Sequence, residues 1–101
     1  MLTHIVMWRF KDEGEGRTKE ENMEYVASRL LALRGVVPQL RGAVIGRDLL
    51  HSEKSWDMAL TARFDSLEDM KAYRGHPAHT AVSEYVAKVT YDRAVIDFEE
   101  D

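Results

Sequence analysis

Tyr73 and His79 lie six residues apart and are the side chains of this sequence best suited to acid–base chemistry. A neutral imidazole can accept a proton around neutral pH, and a tyrosine hydroxyl can orient or polarise a carbonyl oxygen. The simpler interpretation is a partly exposed histidine at a helix end beside a tyrosine of the core. The pattern therefore indicates either a proton-transfer pair or a structural pair. Which of the two it is depends on how the surrounding helices and strands position the two side chains.

A proline corner is predicted to bring the two residues together. Ser66 suits the N-cap of a short helix that carries the tyrosine, and we expect Gly75 to end that helix in the left-handed conformation. His76 precedes Pro77 and is therefore biased away from helix, whereas the proline suits the first position of a new helix. His79 then falls in the first turn of this second helix.

His4 is the second candidate for chemistry. It shares one face of the first predicted strand with Val6 and Trp8. A lone histidine on an apolar strand face is usually a hydrogen-bonded core residue. Here the strand is expected to be central, with this face under the helices. Asp97, near the end of the last strand, could fix the tautomer of His4. Alternation places Asp97 on the opposite face of its strand from Ile96 and Phe98, which leaves this pairing open.

Other kinds of chemistry have little support. His76 and His79 have i, i+3 spacing, but they lie on either side of a proline, and two ligands do not complete a zinc site. We therefore predict no metal. No serine lies in a strand–turn–helix elbow, and neither glycine-rich phosphate motif occurs. The absence of cysteine excludes a thiol nucleophile and a disulfide framework.

The remaining pattern predicts the elements that hold these residues. Thr18 and Glu21 form a capping box for a helix that Gly35 ends. Alternation and turn signals predict strands at 2–10, 41–48, 56–64 and 93–99, and a mobile loop at 49–55. The order βαββαβ, with a split second helix, is typical of the ferredoxin-like α+β class with a four-stranded antiparallel sheet. The whole of 1–101 is predicted to be one domain.

Both faces of the first strand are largely apolar. An antiparallel sheet with one solvated face should alternate more cleanly, so we expect the second face to meet another subunit. Trp8 and Trp56 are both expected on the helix-facing side. The homodimer is predicted to form through the other face, which would carry Ile5, Met7, Ala59, Thr61 and Val95.

Composition excludes several classes of function. The net charge is −4 and there is no cluster of lysine and arginine, which argues against nucleic-acid binding. No apolar run approaches the length of a membrane span, and the first predicted strand begins at Leu2, which leaves no room for a signal peptide. We expect a cytoplasmic protein with no membrane partner.

Several blocks together resemble the stress-responsive A/B barrel domain (Dabb) family. The likeness extends over nearly the whole chain, and the combination of its first strand with the histidine–proline corner is fairly specific. The blocks are HIVMWRFKDE at 4–13, VPQL at 37–40, FDSLEDMKAY at 64–73, HPAH at 76–79 and AVIDFE at 94–99. The resemblance implies a ferredoxin-like chain that dimerises through its sheet into an α+β barrel.

The resemblance also implies a site. The family includes olivetolic acid cyclase, a plant enzyme that closes a linear polyketide without a cofactor by means of a tyrosine–histidine pair. Carried over to this sequence, the implied catalytic residues are His79, Tyr73 and His4. The implied pocket lining, for a small apolar ligand and with no cofactor, is Val6, Trp8, Leu60 and Val82.

Three functions remain open on the sequence alone. The first is cofactor-free acid–base chemistry of the aldol-type cyclase or lyase kind. The alternatives are a barrel-type monooxygenase and a non-catalytic, stress-linked dimer with a structural or binding role. A void of about 300 Å³ between helices and sheet, lined by His79 and Tyr73, would favour the enzyme. If Trp8 and Trp56 filled that space instead, the non-catalytic function would be favoured.

Overall fold

Four strands form one antiparallel sheet, and three α-helices cover one face of it. The computed structural model describes residues 1–100. In chain order the elements are β1 (Leu2–Phe10), β2 (Glu13–Gly14), β3 (Arg17–Thr18), α1 (Lys19–Ala32), β4 (Gly42–Arg47), β5 (Met58–Phe64), α2 (Leu67–Gly75), α3 (Pro77–Val89) and β6 (Thr90–Glu99), with a 3-10 turn at Leu33–Gly35 after α1. None of these helices is both long and apolar enough to cross a membrane.

The main sheet is antiparallel, in the order β4-β5-β1-β6. This order and the βαββαβ arrangement confirm the predicted ferredoxin-like class. The core lies between the sheet and the helices, because alternate residues of β1 and β5 are buried there while the helices contribute their apolar stripes. Within residues 1–100, no helix lies over the opposite face of the sheet.

The capping predictions for the helices are confirmed. The Thr18 hydroxyl accepts from the Glu21 amide, and the Glu21 carboxylate accepts from the Thr18 amide. The Ser66 hydroxyl caps α2 by accepting from the amide of Asp69 at 3.1 Å. Such caps satisfy amides that would otherwise lack partners in the first turn.

The expectation that glycines end the helices in the left-handed conformation is wrong. Among residues 1–100 the only glycine with positive φ is Gly16, in the turn between β2 and β3. Gly35 lies in the 3-10 turn and Gly75 is the last residue of α2. Helix α2 ends instead because His76 adopts an extended backbone (ψ 134°) before Pro77, as the pre-proline restriction requires.

The prediction that Trp56 lies on the helix-facing side is also wrong. Strand β5 begins at Met58, two residues later than expected, so the alternation of the strand does not extend to the tryptophan. Its ring lies 4.0 Å from the guanidinium of Arg9, on the face of the sheet without helices. Trp8, by contrast, is buried on the helix side as predicted.

The register of β6 corrects the predicted subunit face. Strand β6 begins at Thr90, three residues earlier than expected, and pairs with β1. Val95 lies opposite Val6 and so shares its helix-facing side, whereas Ile96 lies opposite Ile5 on the open side. Val95 is therefore not on the open face, because a shift of one residue exchanges the two faces of a strand.

Prediction for the corner. Gly75→Ala should stabilise the protein by about 0.5 kcal/mol, because Gly75 has helical geometry and no atom lies within 4 Å of where a Cβ would stand. Gly16→Ala is the matched control, with φ of 77°, and should destabilise by about 1 kcal/mol. Urea unfolding measures both. A loss at Gly75 equal to that at Gly16 would contradict the backbone conformation described for the corner.

Candidate functional site

A cavity of about 460 Å³ lies between α3 and the part of the sheet formed by β1 and β6. Its floor is the helix-facing row of β1, namely His4, Val6 and Trp8. The indole of Trp8 lines this cavity without filling it, and Trp56 lies elsewhere. The volume is of the size that small-molecule sites usually have.

One wall of the cavity comes from α3. His79, Ser83, Val86 and Ala87 face it, at the i, i+4, i+7, i+8 spacing of one helix stripe. His79 begins this row because Pro77 starts the helix and the His76 side chain caps it, accepting from the Ala78 amide at 3.0 Å. The corner therefore sets which turn of the helix the histidine occupies.

His79 and Tyr73 are in direct contact. Their ring centroids are 4.5 Å apart and the ring planes are tilted by 53°. Tyr73 is 1% exposed and packs against Phe64 on its other side, so its ring forms a layer of core behind the cavity wall rather than part of the lining. Burial raises the pKa of Tyr73 to about 12, and the hydroxyl therefore stays protonated near neutral pH.

The Tyr73 hydroxyl retains some accessible surface. Within residues 1–100 it makes no hydrogen bond, and no fully buried side-chain polar atom there lacks a partner. The small exposed fraction of Tyr73 therefore includes its oxygen. This hydroxyl is a protonated donor that has no hydrogen-bond acceptor within residues 1–100.

The tautomer of His79 is set by a backbone carbonyl. Its Nδ1 lies 3.2 Å from the carbonyl oxygen of Arg74, in the last turn of α2. Because a carbonyl oxygen can only accept, Nδ1 carries the hydrogen and Nε2 keeps the lone pair in the neutral ring. Nε2 is the nitrogen suited to act as a base.

The pKa of His79 lies below its ordinary value of 6.5. Burial is the main cause, and the electrostatic effects of the nearby His4 and Arg74 side chains act in the same direction. The hydrogen bond to the Arg74 carbonyl opposes them, because it favours the protonated ring. The net effect keeps the imidazole neutral at physiological pH and therefore available as a base.

His4 is held by a carboxylate across the β1–β6 pair. The two strands place His4 opposite Asp97, and Nδ1 of the buried imidazole lies 2.5 Å from an Asp97 oxygen. The carboxylate accepts from Nδ1–H, which leaves the second ring nitrogen of His4 for the cavity. The pairing of Asp97 with His4, which the sequence left open, is thus present. It forms because Asp97, like Val95, lies on the helix-facing side of β6.

Of the four other residues expected to line a pocket, three line the cavity and one does not. Val6, Trp8 and Leu60 line the cavity. Val82 is buried on the adjacent stripe of α3, in the core and outside the lining, because it lies one turn from His79 but displaced around the helix.

The cavity wall also contains several polar residues that were not predicted from the sequence. Ser83 lies one turn after His79, and Arg74 and Arg93 line the cavity from α2 and β6. The spacing of Ser83 from His79 was a usable signal. The two arginines offered none, because surface arginines at such positions are common. No cluster of three or more histidine, aspartate or glutamate residues that could hold a metal ion occurs within 1–100.

Comparison with known proteins assigns the family. The model of the stress responsive A/B barrel domain matches residues 2–100. The chain belongs to this family. The resemblance found in the sequence blocks is thereby confirmed, and the family assignment extends to the strand β6 that carries Asp97.

Solved structures share the fold over nearly the full chain. A dimeric ferredoxin-like protein of unknown function from Thermobifida fusca is 28% identical, with 96% of this chain and 88% of that one covered and a TM-score of 0.81. A second such dimeric protein, from Bacteroides fragilis, is 28% identical over 98% and 95%, with a TM-score of 0.77. A hydroxynitrile lyase from Passiflora edulis is 16% identical over 96% and 90%, with a TM-score of 0.82, a likeness of fold alone. No curated protein matches the chain.

Prediction for the imidazole. In a pH titration followed by histidine-labelled NMR, His79 should titrate below 6.5 and show a neutral ring protonated at Nδ1. Arg74→Gln should raise the pKa of His79, since it removes a nearby positive charge and keeps the backbone carbonyl. The exposed His51 provides the control in the same spectra. A His79 pKa at or above 6.5, or a ring protonated at Nε2, would contradict the geometry.

Proposed function

We propose that this protein binds a small, largely apolar carbonyl compound in the cavity and that His79 performs acid–base chemistry on it without a cofactor. The observation that carries the proposal is the pair of imidazoles at one end of the cavity, each with Nδ1 occupied by a fixed acceptor. Such an arrangement presents two ring nitrogens to a ligand and holds both rings in position. The reaction class is an aldol-type cyclisation or the corresponding lyase reaction.

The proton transfers in this proposal can be written step by step. Nε2 of His79 takes a proton from the carbon next to the carbonyl, and the electron pair of the broken C–H bond forms an enolate. For Tyr73 to donate its hydroxyl hydrogen bond to the oxygen on which charge develops, that oxygen must reach the small accessible surface of the hydroxyl behind the cavity wall. The enolate carbon then attacks a second carbonyl, and the resulting alkoxide takes the proton back from His79. In the lyase direction the same steps run in reverse, with no net gain or loss of protons.

His4 has an auxiliary role in this scheme. Its Asp97 partner fixes ring orientation and stabilises any positive charge on the imidazole. In its protonated form His4 would donate a hydrogen bond from its second ring nitrogen to the oxygen of the attacked carbonyl, while the proton that the alkoxide gains still comes from His79. The fold is shared with a hydroxynitrile lyase, which supports the lyase class as a chemistry that this scaffold can accommodate.

Prediction for catalysis. Wild-type protein assayed on aryl β-hydroxy ketones and on mandelonitrile should release aldehyde, and His79→Ala should lower kcat/KM by about 10²–10⁴-fold. Tyr73→Phe should lower kcat more than it changes KM, because its hydrogen bond strengthens in the transition state. His51→Ala, in an exposed loop, is the matched control and should retain full activity.

The outcome is decisive only if the variants are folded, which circular dichroism and thermal melts establish. Full activity in folded His79→Ala would refute the assignment of the base. Ligand binding in the cavity with no turnover by the wild type would refute catalysis and favour the non-catalytic binding protein.

We also propose that two copies associate through the open face of the sheet to form an α+β barrel. Apolar side chains remain exposed there, among them Val44 at 68% and Ile96 at 57%. An exposed apolar face of this kind is typical of a subunit interface. The solved relatives from Thermobifida fusca and Bacteroides fragilis are described as dimeric, which supports this arrangement.

Prediction for assembly. Ile96→Glu should convert the dimer to monomers in sedimentation experiments at micromolar concentration, because it buries a carboxylate without a partner at the centre of the interface. Val36→Glu is the matched control: Val36 is also an exposed apolar residue, but it follows the 3-10 turn and lies outside the sheet. A wild-type monomer, or dissociation of both variants alike, would refute the sheet-face interface.

A further inference from the structure

The charged residues of the cavity wall are unevenly paired. Asp92 accepts a hydrogen bond from the Arg9 guanidinium at 3.0 Å, and Asp97 is bound to His4. Arg74 and Arg93 also line the cavity, and within residues 1–100 neither guanidinium has a carboxylate partner. The wall carboxylate of Asp92 is thus neutralised, while the two wall arginines, both of them exposed, are not. In a chain with net charge −4, the cavity wall has a local excess of positive charge.

The two arginines lie at opposite ends of the cavity. Arg74 belongs to the histidine end, where its carbonyl holds His79. Arg93 lies opposite Trp8 in the β1–β6 register, four residues along β1 from His4. A separation of four strand residues is about 13 Å. Between the two ends the wall is apolar, with Val6 and Val95 paired across the strands.

We infer that the ligand of this cavity is an anionic amphiphile, whose carboxylate binds Arg93 and whose apolar body lies along Val6 and Val95 toward the histidines. The inference rests on the ligand cavity of the proposed function and names its substrate class. A guanidinium without a partner offers a carboxylate two parallel hydrogen bonds, and charge-assisted bonds of this kind are stronger than neutral ones. The reactive carbonyl would then lie about 13 Å from the carboxylate, beside His79.

Arg93 is a better partner for the carboxylate than Arg74. A carboxylate bound at Arg74 would stand close to the His79 imidazole and raise its pKa, since an adjacent negative charge favours the protonated ring. That would remove the neutral base which burial and Arg74 maintain. At the Arg93 end the anion would lie beside Trp8, about 13 Å along β1 from His4, so its effect on the base is weaker than that of an anion at Arg74.

The test compares octanoate with octanamide, two probes of the same chain length that differ in charge. Isothermal titration calorimetry on the wild-type protein should show octanoate binding about tenfold more tightly than octanamide. Arg93→Gln should abolish this preference by weakening octanoate binding about tenfold, with less than about twofold effect on octanamide. Arg74→Gln should keep the preference, because its charge lies at the far end of the cavity.

Arg34→Gln is the matched control for the loss of one positive charge. Arg34 lies outside the cavity and donates only to the carbonyl of Leu31, at 3.1 Å. It should bind both probes as the wild type does. Equal binding of octanoate and octanamide to the wild type would overturn the anionic ligand and leave the cavity function intact. Loss of the preference in Arg74→Gln instead of Arg93→Gln would overturn the placement of the carboxylate, and binding of neither probe would overturn both this inference and the proposed ligand site.

Discussion

The antiparallel pairing of β6 with β1 is the interaction on which the site depends. It pairs the two ends of the chain and makes β1 a central strand, with β6 at the edge of the sheet. The register of this pair places His4 opposite Asp97 and Trp8 opposite Arg93, on the same side of the sheet. The same pairing therefore positions both the carboxylate that orients His4 and the guanidinium at the far end of the cavity. A slip of one residue would move both to the open face and leave His4 buried without its carboxylate.

The proline corner is the second constraint, and it acts over a few residues. Pro77 forces His76 into an extended backbone, so α2 stops and α3 begins without a loop between them. The abrupt change of direction brings His79 back under the last turn of α2, where a carbonyl that has no helical partner accepts its Nδ1–H. An unpaired C-terminal carbonyl thereby selects the tautomer of the proposed base, and neither group is left unsatisfied.

Burial has different consequences for the two rings of the contact pair. Tyr73 loses nearly all contact with water, which raises its pKa to about 12 and makes it a hydrogen-bond donor at every physiological pH. His79 is half-buried beside positive charge, which lowers its pKa and keeps it neutral. The two pKa values are thus shifted in opposite directions, although the ring centroids are 4.5 Å apart. The core that encloses both rings therefore keeps a neutral hydroxyl donor beside a neutral imidazole.

The sequence by itself determined what depends on neighbouring residues: the extent of β1, the caps of α1 and α2, the proline corner and hence the contact of Tyr73 with His79. Alternation and capping are local rules, so short windows of sequence carry them. Tertiary structure decided the side on which Val95 and Trp56 lie and whether Asp97 reaches His4. The positions of Val95 and Asp97 depend on the register of β6 against β1, two strands about ninety residues apart in the chain, whereas the side of Trp56 depends on where β5 begins. Register is fixed by the packing of whole faces against the helices, and no short window contains that information.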